Sequence, residues 1–183
     1  MTNQTAPPKA AMARMALKLV AAIGLSACTA SPDWRQMQPE GLQLSAAFPC
    51  RPASHARQVQ LAGVSAEMRL YACTAQDITF AIGSLDLGDP TRVGDALTAL
   101  RASALANVRG QVRTERLATV PGMTPHPAAL ELSFDGRLPD GRPVEEAMVV
   151  FSRGTRVYQA TLVGGKLNAE VVGTFVSALK AMP

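Results

Sequence analysis

Short segments in which apolar and polar residues alternate, separated by glycine and proline turns, constrain the fold of this chain more than any other feature. Alternation with a period of two puts every second side chain on one face, so each segment predicts a strand with one buried face. Two segments have the helical period instead. Because the strands come in blocks and do not alternate with helices, we expect an α+β domain. It should have an antiparallel sheet of about seven or eight strands covered by two helices.

The predicted strands form one block before the first helix and one block after it. They cover residues 42–48, 57–61, 68–73, 78–82, 111–120, 128–137, 143–152 and 156–164. In the first strand, Leu42, Leu44, Ala46 and Phe48 alternate, which predicts a half-buried strand. Residues 83–88 contain a serine between glycines but lack the Gly-x-Ser-x-Gly spacing of a hydrolase elbow, so a turn is predicted there.

Each predicted helix has a polar cap followed by an apolar stripe. Asp89 and Pro90 suit a helix start, since Asp caps free amides and Pro fits the first turn. Asn168 is placed to cap the second helix. The stripes that follow comprise Val93, Leu97, Leu100, Ala104 and Val108 in the first helix, and Val172, Phe175, Val176 and Leu179 in the second.

The first 27 residues have the layout of a secretory signal peptide. Lys9, Arg14 and Lys18 precede an apolar run at residues 19–25, and no acidic residue lies in this segment. The run is much shorter than the roughly 20 apolar residues that span a bilayer. We therefore predict a signal peptide at residues 1–27, with Met12 or Met15 as alternative initiators.

The stretch Leu25-Ser26-Ala27-Cys28 resembles the lipobox of bacterial lipoprotein precursors, with a branched apolar residue and two small residues before the cysteine. The resemblance implies that Cys28 is lipidated and becomes the new amino terminus. Acyl chains at that position would attach the protein durably to a membrane. The alternative is ordinary cleavage after Ala30, which would leave a secreted protein without an anchor.

The resemblance also implies where the domain resides. We expect residues 28–40 to form a lipidated tether and residues 41–183 a single domain, although Trp34 is an alternative start. Such lipoproteins carry Asp after the cysteine when they stay in the inner membrane, and Thr29 stands there instead. We expect a domain in the periplasm, anchored to the outer membrane rather than to the inner membrane.

The charge balance argues against nucleic acid as a partner. Because the first 27 residues hold three basic and no acidic side chains, their removal lowers the formal net charge from +4 to +1. The chain has only five Phe, two Tyr and one Trp as stacking platforms for bases. We therefore expect no nucleic acid partner. The lipobox resemblance implies the membrane as a partner through the N-terminal lipid, and an envelope protein is a candidate further partner.

The order of elements resembles the PsbP-like α/β sandwich of several small envelope proteins. The resemblance rests on Phe48-Pro49 closing an early strand and on Tyr158 in the strand before a closing helix with Phe175. It extends over most of residues 41–182. It implies a fold and no particular reaction, since proteins with this fold share no common activity.

No motif in the sequence predicts a metal site, a cofactor or catalysis. His55 and His126 lie in predicted loops without the three or four ligands that zinc requires. Glu145 and Glu146 are adjacent, so on a strand they point to opposite faces, one at the surface and one at the strand start. Gly164-Gly165-Lys166 lacks the spacing of a phosphate loop, so we predict a turn. Arg109, Arg113 and Arg116 predict a solvated strand face, with an anion-binding surface as the alternative.

Cys50 and Cys73 are the two cysteines left once Cys28 carries lipid. Because an exported protein meets an oxidising compartment, we predict a disulfide between them, which requires Cα atoms within about 7 Å. The alternative is a pair of buried, reduced thiols.

The sequence thus favours a non-enzymatic, lipid-anchored envelope protein that acts as a binding or assembly module. A second hypothesis is a carrier of a small apolar or lipid-like ligand, with Met68, Phe80, Phe151 and Phe175 around a cavity. For that cavity, the alternative is a filled core. A third, less favoured, is a hydrolase or transferase with an unrecognised site.

Overall fold

The computed structural model describes residues 1–2 and 33–183, and the second stretch lies in one compact unit, Ser31–Pro183. The predicted lipidation site Cys28 and most of the predicted signal peptide lie outside the described residues. Within the described residues, no helix has both the length and the hydropathy needed to cross a bilayer.

Strands dominate the fold, as the alternating segments predict. In chain order the elements are β1 (Arg35–Met37), β2 (Leu44–Phe48), β3 (Ala53–Leu61), β4 (Val64–Ala75), β5 (Ile78–Asp86), α1 (Val93–Asn107), β6 (Gln111–Leu117), β7 (Leu130–Arg137), β8 (Pro143–Arg153), β9 (Arg156–Gly164), α2 (Ala169–Ser177) and β10 (Lys180–Ala181). A single 3-10 turn, Pro90–Arg92, leads into α1.

Seven of the strands form one antiparallel sheet, called the large sheet below. Its order is β3-β4-β5-β9-β8-β7-β6, so β3 and β6 are the edge strands. In the middle, β5 pairs with β9 from Ile78 opposite Gly164 to Asp86 opposite Arg156. This central pair joins the strands before α1 to the strands after it, which confirms the predicted α+β class with an antiparallel sheet.

The strand β5 runs to Asp86 and therefore includes residues for which the sequence predicts a turn. Gly83 and Ser84 lie opposite Leu70 and Arg69 on β4 and continue the ladder with β9. The turn prediction at residues 83–86 is wrong because β9 pairs with all four residues, and β4 also pairs with Gly83 and Ser84, which holds the segment extended.

The predicted first strand does not join the large sheet. Residues 44–48 form the middle strand of a separate three-stranded sheet, β1-β2-β10, and all of them are buried. The prediction of a half-buried strand is therefore wrong. Because β2 is paired on both sides, and the Phe48 ring packs edge-on at 5.9 Å against Phe175, little of it reaches solvent. The strand β1 lies within the predicted tether, and Trp34 just before it packs edge-on against Phe80 at 5.6 Å.

The two helices cover opposite faces of the large sheet. On the α1 face, a Cβ built on Gly110, just after α1, would meet Phe134 of β7 and Leu105 of the helix. On the α2 face, Phe175 of α2 packs against Phe80 of β5 with ring centroids 5.5 Å apart. The small sheet lies on this face as well. The hydrophobic core therefore occupies both sides of the large sheet.

The predicted cap of the second helix is confirmed, whereas Asp89 caps the 3-10 turn that precedes α1. Arg92, the residue directly before α1, makes no side-chain cap. The Asp89 carboxylate accepts a hydrogen bond from the Thr91 amide at 2.9 Å, and the Asn168 side chain accepts one from the Glu170 amide at 2.8 Å. The helix α1 buries four of its five predicted stripe residues, and the fifth, Val108, is buried directly after it. In α2 only Phe175 is fully buried, because Val172 and Val176 form one wall of a surface groove.

Candidate functional site

Cys50 and Cys73 lie at disulfide distance, with sulfurs 2.03 Å and Cα atoms 6.0 Å apart, as the sequence predicts. The register explains the proximity: Ala53 of β3 lies opposite Ala72 of β4, so the residues just before β3 reach the end of β4. The pair ties the segment after the small sheet to the large sheet.

The two histidines have separate, structural surroundings. His55 is exposed on the edge strand β3, so the prediction that it lies in a loop is wrong. His126 lies in a loop as predicted, and its Nδ1 atom accepts a hydrogen bond from the Ala128 amide at 3.0 Å. In the part of the chain that the structure describes, no cluster of three or more His, Cys, Asp or Glu side chains is arranged to hold a metal ion.

The adjacent carboxylates Glu145 and Glu146 point to opposite faces, as predicted, but their surroundings differ from the expectation. Glu145 accepts a hydrogen bond from the Leu167 amide at 2.8 Å on the α2 face. Glu146 is only 5% exposed and lies on the α1 face, so the prediction that one carboxylate is at the surface and the other merely begins the strand is wrong. Burial raises the pKa of Glu146 from 4.5 to about 7.

The arginines near β6 do not converge on an anion site. Arg113 lies 3.5 Å from carboxylate oxygens of both Asp135 and Glu145, and Arg116 is 2.6 Å from Glu131. Arg109 precedes β6 in a left-handed turn with φ of 49°. Since two of the three cations have carboxylate partners, the charges of this strand face largely cancel.

The four residues predicted to line a ligand cavity are not brought together around one. Phe80 and Phe175 pack against each other, and Phe151 stacks on Tyr158 at 4.8 Å. Arg69 pairs with Ser84, which shares a face of the sheet with Phe80. Because neighbouring residues of a strand point to opposite faces, Met68 lies on the other face. These aromatic side chains fill the core.

An open groove lies elsewhere, between α2 and the strands β6 and β7. This α2 groove has a volume of about 440 Å³. Ala169, Val172, Gly173 and Val176 of α2 form its apolar wall. The opposite wall and the floor are lined by Arg113, Thr114, Arg116, Glu131, Ser133 and Ala147. The helix α2 packs over the centre of the large sheet, so it leaves β6 and part of β7 uncovered on this face.

The edge strand β6 borders this groove and is exposed along its whole length. Within residues 33–183, the exposed large apolar side chains are Leu117, at 65%, and Val112, at 41%, and both belong to β6. A register shift between Val112 and Thr114 marks a β-bulge, which leaves residues 114–117 as the regular part of this edge. Exposed apolar side chains on an unpaired sheet edge are typical of an interaction surface.

A second depression adjoins the same strand near its end. This 117–127 depression has a volume of about 520 Å³ and is lined mainly by apolar side chains: Leu117, Ala118, Val120, Met123, Pro125 and Pro127, with Thr119 and His126. Leu117 lies opposite Leu130, so it is on the α1 face, whereas the groove opens on the α2 face. The edge of β6 thus has a hollow on each face of the sheet, one with an apolar wall from α2 and one lined mainly by apolar side chains.

Sequence reasoning predicts β6 as a strand but not the site around it. The segment Gln111–Leu117 carries three charged residues in seven, Arg113, Glu115 and Arg116, which is a signal of a solvent-exposed edge. The groove itself depends on Ala169 and Gly173, whose small size opens space only once α2 is placed on the sheet.

Comparison with known proteins does not identify a family. No family model and no curated protein match the chain. Among solved structures, that of a protein of unknown function from Pseudomonas aeruginosa aligns with 72% of this chain and 82% of its own, at 12% identity and a TM-score of 0.36. A similarity at this level carries no argument about function.

Proposed function

We propose that the protein is an exported, lipid-anchored envelope protein whose domain is a non-enzymatic binding or assembly module in the periplasm. The anchor is proposed from Leu25-Ser26-Ala27-Cys28 at the end of the apolar run. Thr29 after the cysteine favours the outer membrane over the inner membrane. We also propose that the domain is a PsbP-like α/β sandwich, supported by Tyr158 in the strand before α2 and by the helices on both faces.

The observation that carries the binding function is the concentration of exposed apolar surface at β6. The strand holds Leu117 and Val112, and it lies between the α2 groove and the 117–127 depression. A monomer without a partner rarely leaves such surface beside an open sheet edge. A binding surface explains this arrangement without any catalytic group.

The anchor is tested by metabolic labelling with radioactive palmitate. We expect the wild-type protein to take up the label, Cys28→Ser to lose it, and Cys50→Ser to retain it as the matched control. Absence of label from the wild type, or its persistence in Cys28→Ser, would show that Cys28 is not the lipidation site.

The binding surface is tested by placing the photo-crosslinking residue benzoylphenylalanine at Val176, which lines the α2 groove. We expect a covalent adduct in living cells, and none from Gln58 on the opposite edge strand β3. A Cβ on Gly173 would meet nothing within 4 Å, so Gly173→Trp should fill the groove and abolish the adduct while Gly173→Ala preserves it. Equal adducts from Val176 and Gln58 would contradict a site at this groove.

The second candidate is a carrier of a small apolar ligand, favoured by the volume of the α2 groove, which suits a small molecule. It is the weaker proposal because ion-paired residues such as Arg116 and Glu131 line the opposite wall. Solvent extraction of protein purified from membranes, followed by mass spectrometry, tests it. A stoichiometric apolar molecule that is absent from Gly173→Trp would favour the carrier.

A further inference from the structure

We propose that the free edge of β6 binds an extended segment of a partner polypeptide as an added β-strand. Its alternate apolar side chains would enter the α2 groove on one face and the 117–127 depression on the other. This inference rests on the binding function proposed above and specifies the class of ligand. Four observations carry it: the direction of the β6 backbone groups, the paired hollows, the cancelled charges and the poor fit of a second copy.

The backbone groups that would receive the added strand follow from the register. The Ala118 amide donates to the Ala129 carbonyl at 2.9 Å, so it faces the β7 side. In an antiparallel ladder, successive residues turn their N–H and C=O groups to opposite sides. Glu115 and Leu117 therefore present theirs at the outer edge, where β6 is the last strand of the large sheet. This row of donors and acceptors matches an extended peptide backbone.

The hollows on the two faces match the side-chain pattern of a strand. Successive side chains of an added strand would point alternately to the α2 face and to the α1 face. The first set meets the groove of about 440 Å³ and the second meets the depression of about 520 Å³. A helix would not reach both, because its neighbouring apolar side chains project from a single face.

The charges of β6 indicate that apolar side chains carry the recognition. Glu115 is paired with Arg101 at 2.6 Å, and Arg113 and Arg116 have carboxylate partners on β7 and β8. Leu117 is apolar and exposed, so it offers contact area at the edge that no ion pair occupies. We therefore expect a partner segment with apolar residues at alternate positions.

A second copy of this chain is a poorer occupant. An antiparallel pair of two β6 strands centred on Glu115 would place like carboxylates opposite each other, and one centred on Arg116 would do the same with guanidinium groups. The bulge before Thr114 prevents a regular pair centred further towards the start of the strand. A pair centred on Leu117 would run into residues 118–120, which lie outside the strand, so its ladder would be short. We therefore expect another polypeptide as the partner.

The test places benzoylphenylalanine at Arg116 and, in a separate variant, at Leu117 of the full-length protein in cells. These side chains lie on opposite faces of the sheet, so an added strand should cross-link from both to one partner, within about three residues of each other. Mass mapping of the cross-linked peptides gives this spacing. Gln58 on β3 is the negative control.

The mapped segment, made as a synthetic peptide, then tests the backbone contacts on the detergent-solubilised full-length protein. We expect hydrogen exchange at the Glu115 and Leu117 amides to slow on peptide addition. Leu117→Pro removes one outward amide, and we expect about fivefold weaker peptide binding than in Leu117→Ser, which retains the amide. The exchange measurement needs no variant, so it stands even if Leu117→Pro does not fold.

Each other outcome would overturn a defined part of the proposal. Cross-links from Arg116 and Leu117 that map to distant sites, or no exchange protection, would reject strand addition and leave a binding surface at β6. Cross-links to a second copy of this chain would reject the claim that the partner is a different polypeptide. No adduct from Val176, Arg116 or Leu117 would reject both this inference and the proposed binding function.

Discussion

Glu146 on β8 lies directly opposite Phe134 on β7, and its neighbour on the other side is Val163 of β9. A carboxyl group in this apolar setting loses hydration when it is charged, and burial accordingly raises its pKa to about 7. Because the unfolded chain ionises near 4.5, the folded state binds more protons than the unfolded state between these two values. Stability should therefore fall as the pH rises through this range.

The expected cost at pH 8 is roughly 3 kcal/mol, which corresponds to a Tm lower by roughly 5–10 °C than at pH 5. Glu146→Gln should remove this dependence, and Glu145→Gln should leave it in place. Asp86, whose pKa is lowered chiefly by the Thr155 hydroxyl, changes stability only below its ordinary 3.8, outside this window. Thermal unfolding from pH 5 to 8 measures the effect, and a flat wild-type profile would contradict it.

The register of β6 predicts a contrast between two neighbouring proline substitutions. Arg116→Pro removes an amide that faces β7 and should lower stability by about 1–3 kcal/mol relative to Arg116→Ala, which also lacks the ion pair with Glu131. Leu117→Pro removes an outward amide and should cost much less. Urea unfolding of the three variants measures these free energies of unfolding. A larger loss in Leu117→Pro than in Arg116→Pro would show that the Leu117 amide, and not the Arg116 amide, faces β7.

Gly173 on α2 predicts a stabilising substitution beside the groove. Gly173→Ala should raise the free energy of unfolding by up to about 1 kcal/mol, because Ala favours a helix and its Cβ meets nothing within 4 Å. The matched contrast is Gly136→Ala, whose Cβ would lie 2.5 Å from the Val108 carbonyl oxygen and should destabilise the domain. A loss of stability in Gly173→Ala would mean that α2 is packed differently.

The proximity of Cys50 and Cys73, together with the lipid proposed on Cys28, predicts that the protein purified from membranes has no free thiol. A disulfide between residues 23 apart should contribute about 3.5 kcal/mol through loop closure in the unfolded chain. Thiol counting on denatured protein without reductant checks the bridge, and unfolding of the Cys50→Ala, Cys73→Ala double variant checks its contribution. Two reactive thiols per chain would contradict both the bridge and an oxidising location.

Local patterns in the sequence determined the strands of the large sheet, the two helices, the Asn168 cap of α2 and the Asp89 cap of the turn that leads into α1. Alternation at period two and Asx caps act within a few residues, so they are readable without knowledge of distant contacts. The same locality explains the errors at residues 83–86 and in β2. In both cases pairing with strands distant along the chain decided whether a segment is extended or fully buried.

The sequence by itself determined the elements of the large sheet, the pairing of Cys50 with Cys73 and the features that predict export and an anchor at Cys28. Only the tertiary structure decided that β6 is an edge, that Glu146 is buried and that α2 leaves a groove beside Gly173. The physical reason is that strand order and helix placement depend on many weak contacts between distant residues. An edge or a hollow therefore exists only after the whole sheet has formed.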